Sequence, residues 1–234
     1  MSYLRPSFVL GCIFAVTVSA EDARPDELLL AIAHLSEERS YTWKSNTVSS
    51  GGMFVMPVAG QTELNGFTVV RATIQRGTST AVARGGRAVY ETTDGWLTAE
   101  QVRRLRLVVA SPSVATPAEQ LWQLVEGCVG PRVAGNKITA TLTPDAISDR
   151  LQLPRSRPGH DTRPTLRDPA GSITVWLDHG RVTKFEVELS GEIQADPFPH
   201  RFNLATTVEI SAVGSTRVDV PREAIAALDA LANN

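Results

Sequence analysis

The sequence predicts an α+β fold: a curved antiparallel β-sheet, apolar on one face, with helices laid over that face. Three observations predict it. Between residues 172 and 221, Ile173, Val175 and Leu177 alternate with Thr174, Trp176 and Asp178. Phe185, Val187 and Leu189 alternate in the same way with Lys184, Glu186, Glu188 and Ser190, and Phe202, Leu204, Val208 and Ile210 follow with the same period. Period-two alternation sets one sheet face on apolar material and the other in water. Second, Gly85-Gly86 and Asp94-Gly95 sit between β-rich runs, where type I′ turns ask for positive φ at both central residues. Third, Thr98-Ala99-Glu100-Gln101 and Thr116-Pro117-Ala118-Glu119 are capping boxes, in which hydroxyl and carboxyl or amide groups exchange bonds with free backbone amides.

In chain order, Pro25 opens a helix to about residue 39, with Leu28, Leu29, Ile32, Ala33 and Leu35 on its apolar face at helical spacing. Residues 41–48 form a strand with Tyr41 and Trp43 on one face, and 49–60 are a connection. A meander follows over 67–75, 80–84, 87–92 and Trp96. The first capping box starts a helix that ends before Pro112, with Leu97 and Val102 as its hydrophobic staple. The second helix runs to about Glu126, with Leu121, Trp122, Leu124 and Val125 as its apolar members and Gly127 as its C-cap. Residues 132–142 read as one strand, and 143–151 as a short helix from Thr143-Pro144. Residues 154–171 hold four prolines and four arginines without periodicity, and read as a mobile loop. The closing hairpins and a terminal helix from Pro221, with Ile225, Leu228 and Leu231, complete the chain. The expected sheet has about seven to ten strands wrapped around the helices of residues 98–126.

At 234 residues, 42% apolar and 21% charged, the composition is that of a globular chain rather than a disordered one. A formal charge of −2 argues against a nucleic-acid surface, which carries a basic excess. Arg5, the apolar run over residues 7–18 and the small residues Val18-Ser19-Ala20 read as a secretory signal peptide, residues 1–20, cleaved after Ala20. That run is shorter than the ~20 residues of a spanning helix, so the mature chain is expected to have no transmembrane segment. Without Arg5 it holds 22 basic against 25 acidic residues, a charge of −3. The expected location is periplasmic or extracellular. The alternative reads Val9-Leu10-Gly11-Cys12 as a lipobox, with a lipoprotein anchored at Cys12. After cleavage at Ala20, Cys128 is the single cysteine, and no internal disulfide is possible.

The order of elements, with Tyr41-Thr42-Trp43 in the first strand, resembles the LolA/LppX-like group of exported lipid- and lipoprotein-carrier proteins. More narrowly, it is similar to uncharacterised exported bacterial proteins with the same punctuation: Asp94-Gly95-Trp96, Thr116-Pro117-Ala118-Glu119-Gln120, Thr141-Leu142-Thr143, residues 206–210, Val213-Gly214-Ser215-Thr216 and Val218-Asp219-Val220-Pro221. The resemblance covers nearly all of residues 21–234 and implies a single domain. It also implies a sheet curled into an open half-barrel, helices on its concave face, and acyl chains in the apolar space between. These motifs are turns, caps and strand ends, so they speak for a fold and not for a chemistry.

Candidate chemistry is sparse. His34, His160, His179 and His200 stand at no metal-ligand spacing, and no metal or cofactor is expected. No Gly-x-Ser-x-Gly elbow presents a nucleophile. Cys128 follows an apolar helix with no base beside it in sequence, which reads as structural. Glu186, Glu188 and Glu192 fit the wet side of a half-buried strand better than an acid–base set. Arg155, Arg157, Arg163 and Arg167 are diluted by Asp161 and Asp168 and read as a solvated loop, or else as a grip on anionic headgroups. Trp43, Trp96, Trp122 and Trp176 read as core filling or as cavity lining. The chain is expected not to be an enzyme.

The expected function is binding of a lipid or other apolar ligand, such as a lipoprotein acyl chain, in the cell envelope. Its cavity would be lined by Trp43, Phe67, Val69, Leu121, Trp122, Val125, Val175, Phe185 and Val187. The alternative is a ligand-free envelope scaffold with a protein partner. A continuous apolar cavity separates the first from the second, in which the core is filled.

Overall fold

A computed structural model describes residues 25–50, 57–74, 77–105, 113–151, 165–194 and 199–232. The expected signal peptide (residues 1–20) with Cys12, and His160 and residues 154–164 of the expected loop, lie outside them. The elements are α1 (Pro25–Glu37), β1 (Ser40–Ser50), β2 (Val58–Glu63), β3 (Thr68–Ile74), β4 (Gly77–Arg84), β5 (Arg87–Thr92) and β6 (Gly95–Thr98). Then come α2 (Ala99–Arg104), α3 (Pro117–Val125), β7 (Cys128–Ala134), β8 (Lys137–Leu142) and α4 (Pro144–Leu151). Three long strands, β9 (Thr165–Asp178), β10 (Arg181–Gln194) and β11 (His200–Ser211), precede α5 (Arg222–Ala232).

All eleven strands form one open, curved sheet in the order β6-β5-β4-β3-β2-β1-β11-β10-β9-β8-β7, and every pairing is antiparallel. The fold is α+β, as expected. The sheet is longer than the seven to ten strands anticipated, for two reasons. β2 occupies part of the segment read as connection, and residues 132–142 are not one strand. Gly135, with φ 63, turns the chain between β7 and β8, so Val133 pairs with Ile138. The loop assignment is also corrected: residues 165–171 are the first half of β9. Asp168 has φ 47, and the β9–β10 register shifts there, between Ser190 and Glu192. A bulge accommodates Pro169, which has no N–H for a ladder.

Most local signals hold, but the C-cap of α3 is Glu126 and not Gly127. Gly85 and Gly86 both have positive φ, 58 and 76, as do His179 and Gly180, 49 and 76. At Asp94-Gly95 only Gly95 does. In the first capping box the Gln101 amide oxygen accepts from the Thr98 N–H at 2.8 Å, and the Thr98 hydroxyl accepts from the Gln101 N–H at 3.0 Å. In the second, Glu119 accepts from the Thr116 N–H at 2.7 Å and the Thr116 hydroxyl from the Glu119 N–H at 3.2 Å.

Strand register sorts the apolar residues onto two faces. Trp43 lies opposite Ile210, Phe185 opposite Val208 and Val175, and Val175 opposite Ile138. Directly paired residues share a face, so these define the concave face. α1, α3 and α4 cover it through Leu28, Ile32, Leu35, Leu121, Leu124 and Ile147. Its continuation through Ala81 and Tyr90 is covered by Val102 of α2, packed with Leu97 as the staple predicts.

The outer face is not uniformly wet. Over β3, β4 and β5 it carries Val69, Val82 and Val89, on which α5 lays Ala224 and Leu228. Arg84 ties this helix down: it pairs with Asp229 and stands 4.8 Å over the Phe67 ring. Over β8 to β11 the outer face is polar. Trp176 lies there between Lys137 and Lys184, whose ammonium groups are 5.3 and 4.5 Å from its ring.

Candidate functional site

The concave face brings five of the nine expected residues together. Trp43, Leu121, Val175, Phe185 and Val187 belong to one packed cluster, each no more than 2% exposed. Val125 packs half-buried against it, as Cys128 and Val133 do. Trp122 does not join it: the side chain is 38% exposed and donates its indole N–H to the Ser36 hydroxyl at 3.0 Å. Phe67 and Val69 are on the opposite face, under α5. Val69 and Val70 are both fully buried, so burial on both faces left alternation no phase to report. Of the four tryptophans only Trp43 is central to the concave core. Trp96 packs with α5, and Trp176 is on the polar face.

Trp43 shows how this core is filled. Its cross-strand neighbour is Gly60, where an added Cβ would meet the indole at 2.2 Å. The ring lies flat over the glycine and donates to the Thr62 hydroxyl at 3.3 Å. Tyr41, two residues earlier, reaches the start of α3. Burial raises its phenol pKa, while the Thr116 side chain and Ala118 backbone beside it pull the other way.

The long strands outrun the helices. A 14-residue strand at about 3.3 Å per residue runs roughly 46 Å, whereas the 13-residue α1 spans about 20 Å. Towards the Gln194 end of β10, the concave face presents Leu166, Ile193 and Leu204, all half-buried, with Phe202 and Leu189 buried beside them. Ser45, Thr47, Ser49 and Thr206 continue this strip as half-buried polar residues, with the Thr47 and Thr206 hydroxyls 2.9 Å apart. Sequence reasoning read Leu189, Phe202 and Leu204 in the alternation but missed Leu166 and Ile193, because Gly191 and the Asp168 bulge interrupt it.

Two clefts flank the core. One, of about 440 Å³, lies beside the β2–β3 turn and the start of α3, between Leu64, Tyr41 and Trp122. The other, of about 490 Å³, lies between α3 and α4 and is lined by Leu124, Gly127, Ala146 and Arg150 with Glu126, Asp145 and Asp149.

The remaining chemistry is quiet. Burial raises the Cys128 thiol to about 11, and the thiol donates to the Leu124 carbonyl at 3.3 Å. A thiol reagent at pH 8 should therefore label Cys128 of the folded protein at least tenfold more slowly than in denaturant; equal rates would contradict this burial. Glu186 pairs with Lys184 at 3.9 Å. Glu192 accepts from Arg201 at 2.9 Å, and this bond holds its carboxyl below the usual range. Arg167 lies 3.5 Å from Asp168, both exposed. His179 is in a hairpin turn, and His34 and His200 are on the surface. Among the described residues no group of three or more His, Cys, Asp or Glu is placed to hold a metal ion. No described helix is long and apolar enough to cross a membrane.

No protein-family model matches the chain, and no curated protein matches it. Among solved structures it is similar to LprF from Mycobacterium bovis, at 11% identity and a TM-score of 0.49, over 86% of this chain and 96% of that one.

Proposed function

We propose that this protein binds an apolar, acyl-type ligand in the cell envelope, on the concave face of its sheet. The observation that carries the reading is the half-buried strip Leu166, Ile193 and Leu204, beyond the helices that seal the rest of that face. The five expected residues at the centre form the floor of this face and not the contact itself. Burying about 300 Å² of acyl surface at ~25 cal/mol per Å² contributes roughly 7 kcal/mol before the costs of association.

The test is native mass spectrometry of the mature protein, purified from its own envelope without detergent, with organic extraction of what it carries. A reproducible adduct that extracts as a lipid, reduced at least tenfold in Leu166→Gln/Leu204→Gln, is the expected result. An adduct unchanged in that variant would remove the strip from the site.

A second reading, a ligand-free envelope scaffold, is favoured by the closure of the core around Trp43, Leu121 and Phe185. A clean apoprotein mass together with a co-purifying protein partner would establish it in place of the first.

A further inference from the structure

The α3–α4 cleft holds a guanidinium without a carboxylate partner among the described residues. Arg150, in the last turn of α4, donates to the Gln120 amide oxygen at 3.3 Å. Gln120 is buried and neutral, and its own amide nitrogen donates to the Ala115 carbonyl at 2.9 Å. Glu126, Asp145 and Asp149 line the same cleft, yet among the described residues Arg150 forms no ion pair. No fully buried side-chain nitrogen among these residues lacks a hydrogen-bond partner, so the unbonded guanidinium nitrogens keep some exposure to solvent, and Arg150 is among the residues that line the cleft. Burial pushes this guanidinium below its ordinary pKa. A charge half-withdrawn from water and answered only by an amide oxygen is held at a cost that a bound anion offsets. The planar fork of arginine matches a carboxylate or phosphate with two parallel bonds.

The anion end adjoins the apolar end. Ile147, one turn before Arg150, lies against Gly171, the cross-strand partner of Leu189 on the concave face. Leu151, the next residue, packs half-buried on the same core. Leu124 belongs both to that core and to the cleft wall.

We propose that the α3–α4 cleft holds the singly charged anionic group, a carboxylate or phosphodiester, of an amphiphile whose apolar part lies on the concave strip. This rests on the apolar-ligand reading above. The three rim carboxylates oppose every anion and oppose a polyanion more, so a site held by one guanidinium favours a single charge.

The experiment compares laurate, dodecanol and acetate by equilibrium dialysis at pH 8, on the mature wild-type chain and on Arg150→Met and Arg150→Lys. Wild type should hold laurate about tenfold or more tighter than dodecanol, as a charge-assisted hydrogen bond provides. Arg150→Met should bring that ratio to about one with dodecanol binding unchanged, which shows that the variant is folded, and Arg150→Lys should keep part of it. Equal binding of laurate and dodecanol in wild type, or a preference that survives Arg150→Met, overturns the anion site and leaves the apolar-ligand reading standing. Acetate bound in an Arg150-dependent way, with neither amphiphile bound, keeps the anion site for a small free anion and overturns the amphiphile. Failure of all three probes overturns both.

Discussion

Truncating Trp43 to alanine should lower the unfolding free energy by about 3–5 kcal/mol, read as a fall in the urea midpoint with an unchanged slope. The ring is almost fully buried at the centre of the concave core, between Gly60 of the neighbouring strand and the helices above. Its loss also removes the indole donor from the Thr62 hydroxyl, which keeps its contact with the Tyr41 phenol. The complementary change, Gly60→Ala, should cost about 1–3 kcal/mol by driving a methyl group into the ring. In a Trp43→Ala background that cost should nearly vanish, because the obstacle is gone. A double-mutant cycle measures this coupling directly; additive costs would show that Gly60 is not there to seat the indole.

Gly127→Ala should be next in size, at about 1–3 kcal/mol. An added Cβ would meet the Ala146 methyl at 2.2 Å, where the end of α3 touches the start of α4. The clash is steric alone, since Gly127 has no positive φ. Combining it with Ala146→Gly should restore most of the loss, less the ~1 kcal/mol that glycine costs inside a helix. The same pair sets the separation of α3 and α4, so Gly127→Ala should also weaken the laurate preference. Unchanged stability in Gly127→Ala would mean that the two helices move apart freely.

These close approaches divide what the sequence made legible from what it did not. Caps and tight hairpins are local chemistry, so Thr98, Thr116, Gly85-Gly86 and the turn at Gly180 were readable residue by residue. The concave cluster over β8 to β11 was readable because the other face of those strands is in water, which leaves a clean period of two. β2 was not, because its central residue is Gly60, whose burial is explained only by Trp43 on another strand. Phe67 and Val69 were assigned to the concave side because α5 covers the outer face as well, and two-sided burial erases the phase. Arg150 gave no signal at all: an arginine at a helix end looks solvated until Gln120, thirty residues earlier, is seen across from it.

The middle of the sheet has a consequence for how the protein comes into being. β1 and β11 are neighbours, so Thr42 meets Ser211 and Trp43 meets Ile210. The seam between the two halves of the sheet is closed by the first and last of its described strands. Pairing so distant in sequence is slow to nucleate. Until β11 emerges, β1 offers an unpaired edge, and the N-terminal meander lacks the helix that covers its outer face. The order of synthesis thus leaves these aggregation-prone surfaces open until β11 and α5 have been made.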